Sequence, residues 1–117
     1  MAITVKNMNG HPGPLPCGTY SVRITRAYEK TARTGNGQLA LEFEAIEGDH
    51  EGKVARSWIT LVPRGEHILR HFARAVFPNV RDDSIRLEPR EIEGRNLTIK
   101  VEWPEGSDYP RVEYYPA

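Results

Sequence analysis

The chain has 117 residues, of which 38% are hydrophobic and 27% are charged. This balance indicates one globular domain that can fold without disulfides or metal ions, and it excludes a disordered chain. No stretch approaches the roughly 20 apolar residues of a membrane-spanning helix. Because 16 basic residues are matched by 16 acidic residues, coating of nucleic acid through bulk charge is disfavoured, although a local basic groove is not.

The first residues of the chain predict a cytoplasmic protein with no membrane partner, because residues 1–7 lack the basic start and apolar run of a signal peptide. Residues 1–17 are rich in proline and glycine, and we interpret them as an extended arm. A single domain is predicted to follow at residues 18–117. Within the arm, Ile3 and Val5 could add a short edge strand.

Two strands are predicted at the start of the domain. The first spans about residues 18–29, where Tyr20, Val22 and Ile24 alternate with polar residues, as in a strand with one buried face. The second spans about residues 38–47 and shows the same alternation. Its predicted core residues are Leu39, Leu41, Phe43 and Ala45.

A third strand is predicted at about residues 53–62, and it carries bulky residues on both faces. Ile59 and Leu61 fall on one face, whereas Val54, Trp58 and Val62 fall on the other. A strand of this kind is either covered on both sides or presents a functional side. The sequence therefore leaves open whether Trp58 faces the core or the solvent.

One helix of several turns is predicted at about residues 65–77, ending at Pro78. Its apolar residues recur at helical spacing and form one face: Ile68, Leu69, Phe72, Ala73, Val76 and Phe77. An irregular segment follows, with a single helical turn before a break at Gly94. Two further alternating strands are predicted at residues 96–103 and at about 111–115.

This order of elements, three strands, a helix and two strands, is that of the OB-fold, a five-stranded Greek-key barrel. The prediction is therefore a mainly-β, OB-fold-like domain. An α+β sandwich built from the same elements is the structural alternative.

Enzyme chemistry has little support in the sequence, and we expect no catalytic residues, no cofactor and no metal ion. Neither a phosphate-binding glycine loop with its lysine nor a nucleophile elbow is present. His67 and His71 lie one turn apart on the helix, but no further metal ligands accompany them. Cys17 is the only cysteine and has no activating neighbour, so we expect a buried or half-buried structural side chain before the first strand.

Binding of single-stranded nucleic acid has more support. Such proteins combine basic groups that follow the phosphates with aromatic rings on which bases stack. An OB-fold binds on its second and third strands and on its first and last loops. Cations would contact phosphates, and Trp58 and Tyr109 would stack bases. The candidate nucleic-acid-binding residues are Arg23, Arg26, Lys30, Arg33, Lys53, Arg56, Trp58, Tyr109 and Arg111.

Other residues oppose this interpretation or are assigned to the core. Glu42 and Glu44 lie on the exposed face of the second strand and would repel phosphate. We assign Tyr28 and Tyr114 to the core or the barrel rim, because aromatic residues dominate small β cores. Trp103 continues an apolar face and is assigned to the core.

Short motifs along most of the chain also resemble a known family. They are Leu-Pro-Cys-Gly-Thr-Tyr at 15–20, the turn at 30–37, Leu-Glu-Phe-Glu at 41–44, the hairpin at 46–53, Glu-Gly-Arg at 93–95 and Tyr-Tyr-Pro-Ala at 114–117. From about Leu15 onward the chain resembles small phage proteins that are catalogued as a domain of unknown function. The proline-rich arm and Cys17 depart from the family pattern.

The resemblance implies an OB-type single-stranded-DNA-binding protein, encoded near phage recombination and replication genes and acting in the cytoplasm of a bacterial host cell. It implies no site residues, because the family has no defined catalytic set. The leading hypothesis is therefore a non-enzymatic binder of single-stranded DNA that supports phage DNA replication or recombination. Its oligomeric state, including a homo-oligomer, is left open.

Two other hypotheses compete with DNA binding. The first is an OB-like protein-interaction module that binds a host or phage recombination or nuclease protein through Val54, Trp58 and Val62, and the neutral net charge favours it. The second is a metal-dependent nuclease, which has the least support of the three hypotheses.

Overall fold

The computed structural model describes residues 13–79 and 87–117, and it contains one five-stranded antiparallel sheet with the order β3-β2-β1-β4-β5. The proposed edge strand at Ile3 and Val5 lies outside the described residues. In chain order, the elements are β1 (Gly18–Thr31), β2 (Gly37–Ala45), β3 (Val54–Thr60), a 3-10 turn (Pro63–Gly65), α1 (Glu66–Val76), α2 (Pro89–Ile92), β4 (Asn96–Glu102) and β5 (Arg111–Tyr115).

The prediction of a mainly-β fold with an OB-like order of elements is confirmed. Strand β1 is the central strand, pairing with β2 on one side and β4 on the other. The short helix α2 is the single turn expected before the glycine break, where Gly94 adopts a φ of 87° that side chains disfavour. Among the described residues, no helix is long and apolar enough to cross a membrane.

The core lies between the inner face of the curved sheet and the helix α1. Phe43 and Phe72 are fully buried there, one from the sheet and one from the helix. The inner face of β2 is the predicted one, because Leu39, Leu41, Phe43 and Ala45 are all buried. On β3 the buried positions are Ala55, Ser57 and Ile59. Trp58 therefore points away from the core, which resolves the ambiguity of this strand.

The two outermost strands, β3 and β5, approach each other through side chains. The hydroxyl oxygens of Ser57 on β3 and Tyr114 on β5 lie 2.7 Å apart in a buried hydrogen bond. The Tyr114 ring also packs edge-on against Phe72 of α1, with centroids 5.0 Å apart. Within the described part of the chain no backbone ladder joins β3 to β5, so the sheet is curled but open.

Strand β1 contains a bulge at Thr25 that reverses its alternation. Ile24 pairs with Phe43 and Arg26 with Glu42, so Thr25 is an extra residue on β1. Such a bulge redirects the side chains that follow it. Before the bulge Val22 and Ile24 are buried; after it Ala27 is buried, whereas Arg26 and Tyr28 are exposed. The bulge thus brings Arg26 to the outer face of the sheet.

Residues 13–15 lie along the start of β3, and Leu15 contributes to the core. Pro14 forms a parallel bridge with Val54, and the backbone N–H of Leu15 donates to the Val54 carbonyl at 2.8 Å. The Leu15 side chain is 1% exposed. Trp103 is half-buried rather than fully buried, and its indole N–H donates to the Leu15 carbonyl at 2.8 Å.

The positions predicted for Cys17 and Ile68 are wrong. Cys17 is exposed, because Leu15 takes the buried position and the Cys17 sulfur instead accepts the backbone N–H of Trp103 at 3.4 Å. Ile68 is 44% exposed, whereas the fully buried residues of α1 are Phe72, Ala73, Ala75 and Val76. In the first turn of the helix, Leu69 packs against the core whereas Ile68 faces solvent.

Candidate nucleic-acid interface

The outer face of β1, β2 and β3 presents three cross-strand rows of side chains. Residues directly opposite each other on antiparallel strands bring their side chains close together. From β1 to β3 the rows are Arg26, Glu42 and Arg56; then Tyr28, Ala40 and Trp58; then Lys30, Gln38 and Thr60. We call Arg26, Tyr28, Lys30, Glu42, Arg56 and Trp58 the outer-face cluster.

Two aromatic rings flank a small residue in the middle row. Ala40 has only a methyl group, so it leaves space between Tyr28 on β1 and Trp58 on β3. The result is a depression of about 310 Å³ lined by both rings together with Arg26 and Arg56. Tyr28 is 40% exposed, so of its two predicted positions, the core or the barrel rim, the core is wrong. The residue belongs to the surface because the Thr25 bulge precedes it.

Cations lie over both rings of the outer-face cluster. The guanidinium carbon of Arg26 is 4.8 Å from the centroid of the Tyr28 ring, and the Lys30 ammonium is 4.9 Å from that of Trp58. Cation–π contacts at exposed sites contribute about 0.5–1 kcal/mol. Contacts this weak hold the cations near the rings without fixing them there.

Glu42 lies at the centre of the basic row. Its carboxylate accepts hydrogen bonds from Arg56 Nε at 3.1 Å and from the Thr25 hydroxyl at 2.8 Å. The Arg56 side chain is nevertheless 66% exposed. Glu42 orients Arg56 and lowers the positive charge of the face, as expected of an acid on the exposed side of β2.

A second cavity lies beside the outer-face cluster, where the loop between β4 and β5 meets β3. The rings of Trp58 and Tyr109 stand perpendicular, at 89°, with centroids 5.1 Å apart. The cavity is about 440 Å³. We call it the corner pocket. Its wall includes Pro14, Arg56, Trp58, Trp103, Asp108 and Tyr109.

The structure brings five of the predicted binding residues to this surface. They are Arg26, Lys30, Arg56, Trp58 and Tyr109.

The other four predicted residues are placed differently. Arg23 is exposed on β1, opposite Glu44, and Arg33 is exposed in the turn after β1. Lys53 precedes β3, and its backbone carbonyl accepts the N–H of the buried residue Ala45 at 2.9 Å. Because side chains alternate along a strand, the Lys53 side chain lies on the face of the sheet opposite to that of Trp58. Arg111 is exposed at the start of β5, and it follows Pro110, which lines the corner pocket.

Asp108, Trp103 and Pro14 also belong to the surface, although they were not predicted as binding residues. Pro14 and Trp103 come from distant parts of the chain, and the contact between residues 13–15 and β3 brings them together. The sequence indicated a surface here only through Trp103 and Tyr109, the two aromatic residues that border the loop between β4 and β5.

On the core side of the sheet, Tyr114 of β5 has a strongly shifted pKa. Burial raises the pKa of the Tyr114 hydroxyl to about 12, although its hydrogen bond with Ser57 acts in the opposite direction. Among residues 13–79 and 87–117, no three His, Cys, Asp or Glu side chains are grouped so as to hold a metal ion.

Comparison with known sequences assigns the chain to a family. A search of curated proteins finds no match. The model of the family described as "Protein of unknown function (DUF669)" matches residues 3–117, which is nearly the whole chain. This match agrees with the resemblance found in the turn glycines and strand motifs. The chain therefore belongs to the DUF669 family.

Proposed function

We propose that this protein binds single-stranded DNA, without catalysis, on the outer face of β1, β2 and β3. The observation that carries the proposal is the pair of accessible rings, Tyr28 and Trp58, on either side of Ala40. Three cations surround the rings: Arg26, Lys30 and Arg56. Binders of single strands use this combination of stacking rings and phosphate-contacting cations.

The spacing of the rings suits unpaired bases. Tyr28 and Trp58 lie on strands that flank β2, so two strand spacings, about 10 Å, separate their backbones. Each ring can therefore stack a different base. A duplex has no free base faces, so the stacking contribution favours a single strand over a double strand.

The local charge also supports the proposal, although the chain as a whole is neutral. Within the outer-face cluster three cations face one carboxylate, that of Glu42. Phosphate contacts made by such cations release counterions, so affinity should fall with salt. The surface used is the one on which OB-folds bind oligonucleotides, namely the second and third strands with the adjoining loops.

The experiment is a fluorescence-anisotropy titration of a labelled thymine oligonucleotide at low salt. The variants are Trp58→Ala and Tyr28→Ala, and Tyr115→Ala is the matched control because Tyr115 is 39% exposed, like Tyr28 at 40%. Loss of a stacking ring should cost about 1–3 kcal/mol, or roughly 5- to 150-fold in Kd. The proposal fails if the wild type forms no complex at micromolar protein or if Tyr115→Ala weakens binding as much as Trp58→Ala.

A role in phage DNA replication or recombination is the biological part of the proposal, and it rests on the resemblance described above. The alternative, an OB-like module that binds a recombination or nuclease protein, has one supporting observation. A mostly apolar pocket of about 240 Å³ at the end of β3 is lined by Leu61, Val62, Pro63 and Leu69, among others. The alternative predicts that Leu61→Asp abolishes capture of the protein partner without changing oligonucleotide binding.

A further inference from the structure

The corner pocket has the shape of a site for one flat ring. Trp58 and Tyr109 form two perpendicular walls, and Pro14 and Trp103 contribute further apolar surface. A cavity of about 440 Å³ falls within the range of small-molecule sites. Trp58 also borders the depression beside Tyr28, so a strand stacked on the outer-face cluster passes the mouth of the corner pocket.

Hydrogen bonds hold the walls of the corner pocket in place. The Ser107 hydroxyl donates to the Tyr109 carbonyl at 2.8 Å and accepts the Tyr109 backbone N–H at 3.1 Å, which fixes the loop that carries Asp108. The Trp103 indole N–H donates its hydrogen bond to the Leu15 carbonyl. Trp103 thus offers its ring to the cavity rather than a hydrogen-bond donor.

Asp108 determines what kind of group fits the pocket. An ionised carboxylate is an acceptor only, so it repels phosphate and selects a ligand edge that carries N–H groups. Guanine is the DNA base that presents two adjacent donors, N1–H and the N2 amino group, and a carboxylate can accept two parallel hydrogen bonds. Arg56, also in the wall, can donate to the acceptor atoms of the same base.

We propose that the corner pocket binds one nucleobase of the strand through its N–H edge, with guanine preferred, and that Asp108 is the residue that determines this preference. The inference rests on the proposed binding of single-stranded DNA and adds a base-specific position to it. Phosphates would remain on the outer-face cluster, where the cations are, and one base would turn into the pocket against Trp58 and Tyr109.

The experiment compares three oligonucleotides of equal length: one of thymine only, one with a single central guanine and one with hypoxanthine at that position. Hypoxanthine differs from guanine by the missing N2 amino group. The wild type should bind the guanine strand about tenfold more tightly than the hypoxanthine strand, within the range for a bidentate base contact. Asp108→Ala should reduce that ratio to about one while still binding the thymine strand.

Glu105→Ala is the matched control, because it removes an exposed acid from the same loop without touching the pocket wall. It should keep the preference for guanine. Equal binding of all three strands by the wild type would overturn the corner-pocket inference alone, as would a guanine preference that survives in Asp108→Ala. Failure to bind any of the strands would overturn the proposed function and this inference with it.

Discussion

The ammonium of Lys30 lies 4.9 Å from the centroid of the Trp58 ring, over a face on which a base would stack in the proposed complex. A base and this cation cannot occupy the same ring face. Binding on that face therefore requires Lys30 to leave the ring, and a phosphate next to the stacked base is its natural new partner.

Replacing Lys30 should change the salt dependence of binding more than the affinity itself. In Lys30→Ala a phosphate contact is lost, so binding at low salt should weaken and the slope of log Kd against log salt should fall by about 0.7. At high salt the variant should match or exceed the wild type, because no cation competes for the Trp58 face. The measurement is a titration across a salt series, with Lys100→Ala as the control, because Lys100 is an exposed cation on β4, outside the outer-face cluster. Parallel lines for Lys30→Ala and the wild type would contradict this role.

Removing the carboxylate of Glu42 should strengthen DNA binding. Glu42→Gln frees Arg56 from its ion pair at 3.1 Å and removes the negative charge at the centre of the basic row. Affinity at low salt should rise severalfold, with a steeper salt slope, because one more cation is available for phosphate. The matched control is Glu66→Gln, which breaks the 2.7 Å ion pair with Arg70 on the helix. Equal gains in the two variants would show a bulk charge effect instead.

Deprotonation of Tyr114 should destabilise the fold at high pH. Its pKa is raised from 10.0 to about 12 in the folded protein, so the folded state holds this proton more tightly than the unfolded state. The stability it contributes is fully present below pH 10 and is lost between about pH 10 and 12, up to about 3 kcal/mol. Denaturant unfolding at several pH values should show a steeper loss in the wild type than in Tyr114→Phe. Identical pH profiles would contradict the prediction.

Leu15 should matter to stability although it precedes the first strand. Its side chain is 1% exposed in the common core, so Leu15→Ala should lower the free energy of unfolding by about 2–5 kcal/mol. Leu61→Ala is the matched control, because Leu61 is 39% exposed and should cost far less. Urea unfolding measures both. A loss for Leu15→Ala no larger than that for Leu61→Ala would show that residues 13–15 do not pack as described.

The order of elements could be predicted from the sequence because it depends on local periodicity. The alternation in β2 and β4 and the helical spacing of Phe72, Ala73 and Val76 report directly on which face is buried. Ile68 has the same spacing but is 44% exposed. Periodicity describes a face, but it does not tell how far the partner surface extends.

The site could be predicted only in part, because two long-range features determine it. The bulge at Thr25 moves Arg26 and Tyr28 to the outer face, and nothing in the local sequence marks an extra residue there. The contact between Trp58 and Tyr109 depends on the approach of β3 and β5. Composition could identify these residues as binding types, but only the topology shows which of them share a surface.

The most direct test of DNA binding on the outer face is to map the amide chemical shifts of the protein by NMR while a thymine oligonucleotide is added. DNA binding on the outer face predicts that the largest shifts occur at residues 26–30 of β1, at Ala40, at residues 56–58 of β3 and at Tyr109, whereas the exposed residues of α1 stay unchanged. Shifts confined to α1, or none at a concentration where the oligonucleotide binds, would contradict the assignment of DNA binding to the outer face of β1, β2 and β3.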